Sequence, residues 1–187
     1  MARKVKVPTL ETERLILRMW TKKDAPALYE YAKNPNVGPN AGWKPHASVA
    51  ESRMIIEQLF MVNTTWAIQL KETGKVIGSI GFEPDKYRPE ISSREMGYSL
   101  AEEHWRKGIM TEAARRLIRY AFDELKLDVL MIRTSETNIR SQGVIKKCGF
   151  TYEGTLRRAY RLYNGELREV RCYSMLREEY EEQYCKE

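Results

Sequence analysis

The order of hydrophobic periodicities in this chain predicts an α/β (α+β) fold: a mixed, mostly antiparallel, twisted sheet of about seven strands flanked by four helices. Three observations lead there. About seven short segments read as strands, several with apolar residues alternating with polar ones and one, Val129–Thr134, strongly apolar. Four other stretches carry apolar residues at three- and four-residue spacing and are interleaved with the strands. Near the C-terminus two strand-like segments straddle Asn164-Gly165, the dipeptide suited to a tight hairpin turn.

The elements follow in order. Arg14-Leu-Ile-Leu-Arg-Met-Trp20 reads as a strand with Leu15, Leu17 and Met19 on one side. Thr21-Lys-Lys-Asp24 resembles a capping box with Asp in the place of Glu, and opens a helix bearing Ala25, Leu28 and Ala32. Asn34 to Pro45 is rich in Pro, Gly and Asn and reads as loop. Ser48 with Glu51 caps a second helix, whose Ile55, Leu59 and Val62 fall on one face. Trp66, Ile68 and Leu70 alternate, Glu72-Thr-Gly-Lys75 turns the chain, and Val76 to Phe82 returns. In Arg94 to Leu100, Met96, Tyr98 and Leu100 share one face and Glu95, Gly97 and Ser99 the other. A third helix from about Met110 to Glu124 turns Ala114, Leu117, Ala121 and Leu125 inward. Val129 to Thr134 is a strongly apolar, central strand, and Thr137-Asn138 opens a fourth helix that stops at Gly149. The tail from Leu176 is a charged helix or a frayed end.

With 187 residues, 42% hydrophobic and 31% charged, the chain suits one domain over 1–187 with a sizeable core. No repeat, low-complexity run or long linker divides it. No apolar run is long enough to cross a bilayer or builds a signal peptide, so the expected location is cytoplasmic, with no membrane partner. Cys148, Cys172 and Cys185 are scattered and lack metal or redox spacing, and His46 and His104 have no ligand partner nearby in sequence. No metal is expected. Thirty-two Lys and Arg against 26 Asp and Glu give a net charge of +6, which favours an anionic partner. No aromatic-basic motif points to nucleic acid.

One junction carries the chemistry. From Ser99-Leu100 the chain passes through Trp105-Arg-Lys-Gly-Ile-Met110 into an amphipathic helix at Thr111-Glu-Ala113. Free N–H groups at the positive end of a helix dipole, beside basic residues and a glycine, suit phosphate. The strand–loop–helix order resembles the pyrophosphate loop of the GNAT acyltransferases, which bind acetyl-coenzyme A. Asn138-Ile-Arg-Ser141 with Val144 to Phe150 is similar to that family's second cofactor segment. Thr12-Glu-Arg-Leu-Ile-Leu-Arg18, Glu95-Met-Gly-Tyr98 and Gly149-Phe150 resemble the branch of ribosomal-protein alanine and serine N-terminal acetyltransferases. The resemblance spans nearly the whole chain. It departs from the usual pattern at Trp105, Arg106 and Met110, and a bulky Met110 must point into the core.

The resemblance implies a GNAT fold and acetyl-CoA as co-substrate. Trp105, Arg106, Lys107, Gly108, Ile109, Met110 and Thr111 form the pyrophosphate loop. Tyr98, Ser99 and Leu100 hold the pantetheine arm as an added strand, with Asn138 and Ser141 beside it. Acyl transfer to an amine needs a base, an oxyanion donor and a proton for the thiolate. Glu95 is the candidate base; its other reading is a solvated or salt-bridged strand residue. Some relatives place a tyrosine acid on the fourth helix, but Ile145 stands there, leaving Ser141 as the nearest hydroxyl. The oxyanion donor is expected to be a main-chain N–H near Leu100. Cys148, at a helix end, belongs in the core rather than in an acyl-enzyme.

The acceptor candidates are Trp43, His46, Tyr160 and Tyr163, with Arg157, Arg158 and Arg161 nearby. Trp43 either plugs the core edge or lines a pocket, and the arginines either attract acidic groups or form a solvated face. The expected acceptor is the N-terminal α-amine of a ribosomal protein. A small-molecule amine, such as an antibiotic or amino-acid-like compound, is one alternative; a CoA sensor without turnover is another. Monomer and homodimer both remain open.

Overall fold

The computed structural model describes residues 6–185. Among them are eight strands and six α-helices. In chain order these are β1 (Leu10–Glu11), β2 (Leu15–Met19), α1 (Ala25–Ala32), α2 (Gly38–Ala41), α3 (Val49–Ile55), β3 (Thr64–Leu70), β4 (Val76–Pro84) and β5 (Ser93–Leu100). Then come α4 (Ile109–Arg119), β6 (Val129–Ser135), α5 (Ile139–Lys147), β7 (Thr151–Arg161), β8 (Leu167–Leu176) and α6 (Arg177–Tyr184). The α/β class with mostly antiparallel pairing is the expected one. The two-residue β1 and the one-turn α2, inside the segment read as loop, are too short to leave a periodicity. The chain divides into two compact units: residues up to 82 with 98–113, and residues 83–97 with those from 114 on.

In the first unit the strands neighbour one another in the order β1-β2-β3-β4, followed by the end of β5. Register sets the core: Leu17 lies opposite Ile68, and Met19 opposite Trp66. Leu15, Leu17, Trp66 and Ile68 are fully enclosed. A second layer of Trp20, Leu28, Tyr31, Ile56 and Met61 packs against Ala67.

The first helix is opened as anticipated. The Thr21 N–H and hydroxyl donate to Asp24 Oδ2 at 2.8 and 2.9 Å. Arg18 grips the same carboxylate in a bidentate pair, at 2.9 and 2.8 Å. Burial pushes the Asp24 carboxyl up, but the Arg18 and Thr21 donors outweigh it and hold it below its usual value. A carboxylate lowered in the folded state adds stability above its unfolded pKa and loses it as pH falls through the folded one. Asp24→Asn is therefore expected to cost about 1–2 kcal/mol at pH 7, roughly 2–8 °C in melting temperature. The gap from the parent should close below about pH 4 in a calorimetric pH series.

Two helices depart from the expected faces for one reason. After α3 the chain widens into a π turn over Ile56–Phe60, and after α4 into another over Tyr120–Glu124. A π turn inserts a residue into the helical repeat and rotates everything after it. Leu59 is thereby turned outward while Ile56 and Met61 take the core, and Leu125 is exposed while Ala121 and Phe122 are enclosed.

In the second unit the strands neighbour one another in the order β5-β6-β8-β7. β6 runs parallel to β5 and antiparallel to β8, which makes it the central strand. Asn164-Gly165 turns the β7–β8 hairpin, with Leu162 N–H donating to Glu166 C=O at 2.8 Å. The charged tail forms α6, because Tyr180 is buried, stacks on Phe122 at 4.7 Å and donates to Asp123 at 2.8 Å.

Candidate active site

The basic loop is shaped by two left-handed residues. Gly108 sits at φ +76°, where a glycine is unstrained, and Arg106 at φ +61°, a conformation that costs an arginine about 1 kcal/mol. Left-handed turns of this kind direct neighbouring N–H groups to a common side and make an anion-binding concavity. The first α4 bond runs from Glu112 N–H to Gly108 C=O at 3.0 Å. The N–H groups of Ile109, Met110 and Thr111 thus stand outside the helical ladder, at the positive end of the dipole. Arg106, Lys107 and Gly108 are exposed; Ile109 and Met110 are buried, so Met110 points inward as its bulk demands. Trp105 lays its indole against the first unit's core and donates to Leu100 C=O at 2.8 Å.

A clamp from the β1–β2 turn holds this loop. Arg14 donates to Lys107 C=O at 3.0 Å and to Glu112 Oε2 at 2.6 Å. Glu112 Oε1 accepts from the Thr12 hydroxyl at 2.6 Å and from Arg14 N–H at 2.9 Å. Partial burial raises the Glu112 carboxyl, but Thr12 and Arg14 outweigh that and keep it below its ordinary value. A carboxylate at an anion site would repel the ligand; here a guanidinium neutralises it. Glu112→Gln is expected to loosen the loop and weaken coenzyme A binding about tenfold, read by isothermal calorimetry.

The Thr12–Arg18 motif and α1 share this unit with Tyr98, Ser99 and Leu100. Asn34 and Asn36 both donate to Glu102, just ahead of the loop, the shortest contact being 2.6 Å from Asn34 Nδ2. Trp43 packs on the core edge, with its N–H donating to Gly38 C=O at 2.9 Å. The His46 ring lies 5.1 Å from that of Trp43, and its Nδ1 meets the Ser52 hydroxyl at 2.8 Å. Burial, partly opposed by Glu51, lowers the His46 pKa, which leaves the ring neutral at pH 7.

Glu95, Asn138, Ser141, Tyr160 and Tyr163 belong to the second unit. Glu95 pairs in register with Met131, which places Arg133, two residues on, diagonally across the same face. Arg133 Nε and Nη2 each donate to one Glu95 oxygen at 2.8 Å, and Nη1 donates to Tyr87 Oη at 3.2 Å. The salt-bridged reading of Glu95 therefore describes the resting side chain. Each carboxylate oxygen keeps a second lone pair for a water or an amine. Burial lowers the Arg133 pKa less than Glu95 and Tyr87 raise it, so the guanidinium stays charged. Asn138 Oδ1 accepts from Ser141 N–H at 3.2 Å as the α5 cap. Tyr160 and Tyr163 are exposed on the β7–β8 hairpin. Burial pushes the Cys148 thiol up to about 11, against a small opposing effect of Arg115, so it is no thiolate at neutral pH.

The clamp residues Arg14 and Glu112 and the Glu95 partner Arg133 escaped the sequence reading. Each left a signal. An acid in the first turn of a helix that follows a basic loop calls for a cation, and Arg133 is the one charge in the central strand Val129–Ser135.

Residues 14–151 match the family described as acetyltransferase (GNAT) domain. The uncharacterized N-acetyltransferase p20 of Bacillus licheniformis is 33% identical over 177 residues, spanning 92% of this chain and 98% of that protein. Among solved structures, a GNAT-family acetyltransferase from Bacillus anthracis gives a TM-score of 0.82 at 23% identity, covering 91% of this chain and 99% of that one. Ribosomal-protein-S5-alanine acetyltransferase from Vibrio fischeri gives 0.75 at 23% identity, covering 91% and 97%. These two are likenesses of fold.

Proposed function

This chain belongs to the GNAT family of acetyltransferases, and from that membership we propose that it moves an acetyl group from acetyl-CoA directly to a primary amine, the N-terminal α-amine of a ribosomal protein. The observation that carries the acetyl-CoA reading is the left-handed loop at Arg106 and Gly108, clamped by Arg14 at the start of α4. Main-chain donors bind a pyrophosphate whatever their side chains, and Arg106 and Lys107 add positive charge. The family match runs across both compact units, which supports their working as one catalytic domain.

Acetyl-CoA supplies an activated acyl group, a thioester whose carbonyl carbon the amine attacks. Tyr98, Ser99 and Leu100 hold the amide-bearing arm along β5, and Asn138 serves the same arm on the family's pattern. Glu95 takes the proton that the attacking nitrogen loses, directly or through one water, while Arg133 keeps the carboxylate oriented. Ser141 offers a hydrogen bond to the sulfur as the carbon–sulfur bond breaks.

The acceptor class rests on the Thr12–Arg18, Glu95–Tyr98 and Gly149-Phe150 motifs. Arg157, Arg158 and Arg161, all exposed on β7, favour a substrate with acidic groups. A cell extract incubated with the protein and isotope-labelled acetyl-CoA tests this. Label at the N-terminus of a ribosomal protein is the expected result. Label confined to small molecules identifies a small-molecule acetyltransferase. Coenzyme A binding without release under any acceptor pool identifies a sensor.

A further inference from the structure

The loop between β4 and β5, in the second unit, reaches the candidate base through a run of hydrogen bonds that the acetyl-transfer reading leaves without a role. Asp85 opens the loop with a side chain that is fully enclosed. A buried carboxylate must be paired, and here both oxygens are used. Asp85 Oδ1 accepts from Tyr87 N–H at 2.8 Å, and Oδ2 from Arg88 Nη1 at 3.2 Å. The other end of the Arg88 guanidinium, Nη2, pairs with Glu153 on β7, whose Oε1 also accepts from the Ser174 hydroxyl on β8 at 2.9 Å. Ser93, at the start of β5, donates its hydroxyl to Arg88 C=O at 3.2 Å. The loop is thus stitched to β5 and β7, and the Tyr87 backbone is fixed although its side chain is half exposed.

From that fixed position Tyr87 meets Arg133. Its ring centroid lies 5.4 Å from Arg133 Cζ, and its Oη accepts from Nη1 at 3.2 Å. The remaining nitrogens, Nε and Nη2, hold the two Glu95 oxygens, each at 2.8 Å. A guanidinium and a carboxylate joined by two parallel bonds share a plane, so whatever fixes the first fixes the second. Arginine reaches that plane from β6 on a long flexible stem, and the carboxylate alone cannot stop the pair from rocking together. The phenol supplies the third fixed point. Only 14% of the Glu95 side chain is exposed, so the direction of its remaining lone pairs decides where an amine can hand over its proton.

We propose that Tyr87 is a positioning residue for the acetyl transfer: by anchoring Arg133 it fixes the plane of the Glu95 carboxylate, and with it the lone pair that receives the proton of the acceptor amine. This role rests on Glu95 as the base. Tyr87 itself neither gives nor takes a proton, and its effect reaches the reaction only through Arg133.

Two readouts on the full chain test it. Turnover is followed as coenzyme A release at saturating acetyl-CoA, with heat-treated cell extract as the acceptor pool. Tyr87→Phe keeps the ring and removes Oη; it should slow release about threefold to fivefold, and Tyr87→Ala about tenfold. In a Glu95→Gln background Tyr87→Phe should change the rate by less than about 1.5-fold, because a base that is gone cannot be misaligned. The melting temperature of Tyr87→Phe should stay within about 2 °C of the parent, as for a half-exposed side chain, which separates positioning from folding. The second readout is NMR of the chain labelled with 15N-arginine, in which the Arg133 signals are identified by their loss in Arg133→Lys. Exchange between its Nη signals, which reports rotation about Nε–Cζ, should be severalfold faster in Tyr87→Phe than in the parent. Unchanged release in Tyr87→Phe, a slowing that multiplies with that of Glu95→Gln, or equal exchange of the Arg133 signals overturns the proposal and leaves the base assignment intact. A Glu95→Gln variant as fast as the parent, or a parent that releases no coenzyme A, overturns both.

Discussion

Glu95→Gln is expected to lower kcat about a hundredfold at neutral pH, with KM for acetyl-CoA changed by no more than about twofold. Glutamine keeps the side chain's shape and one acceptor for Arg133, but it takes up no proton. The acceptor amine is mostly protonated at neutral pH, and without a base only its small neutral fraction reacts. The bidentate contact at 2.8 Å on each oxygen also sets the carboxylate's plane, so the variant loses some orientation along with basicity. A pH–rate profile separates the two losses. Loss of basicity moves the acid limb of kcat/KM up to the pKa of the free acceptor amine, about 8 for an α-amine, whereas misorientation alone scales the whole profile down. Turnover retained within a few-fold, with the acid limb intact, would reject Glu95 as the base and leave it the strand ion pair it forms with Arg133.

Gly78→Ala is expected to destabilise the first unit strongly for a single added methyl. An ideal Cβ at this position on β4 would lie 2.5 Å from Ser99 C=O and 3.2 Å from the Leu100 Cα. Both neighbours are backbone and cannot swing aside as a flexible side chain would. Relief requires β4 and the end of β5 to separate, which disturbs the Ala101 N–H bond to Ile77 C=O, now 2.8 Å. The expected cost is about 2–3 kcal/mol, or roughly 4–12 °C in melting temperature. Coenzyme A affinity should fall with it, because Ser99 and Leu100 lie on the strand proposed to receive the pantetheine arm. A melting temperature within about a degree of the parent would show that the strands at this point part freely.

Much of the molecule was legible before any coordinates, and the reason is range. The apolar run of Val129–Thr134, the Thr21–Asp24 box, the Ser48 and Asn138 caps and the Asn164-Gly165 turn are features of residues a few positions apart. Each therefore left its whole pattern in one window of sequence. The loop from Trp105 to Thr111 was legible for the same reason, since a glycine and a helix start suffice to make it. The outward turn of Leu59 and Leu125 was not, because a π turn is chosen by the packing around a helix rather than by the residues within it. The side chains that would make the loop a binding site and Glu95 a base were equally out of reach. Arg14 meets Glu112 across 98 residues and Arg133 meets Glu95 across 38. The sequence by itself determined most of the elements, their order and the basic glycine loop at the start of α4. Only the tertiary structure decided which charges neutralise one another, because Coulomb attraction and hydrogen bonding act over a few ångströms of space and are blind to distance along the chain.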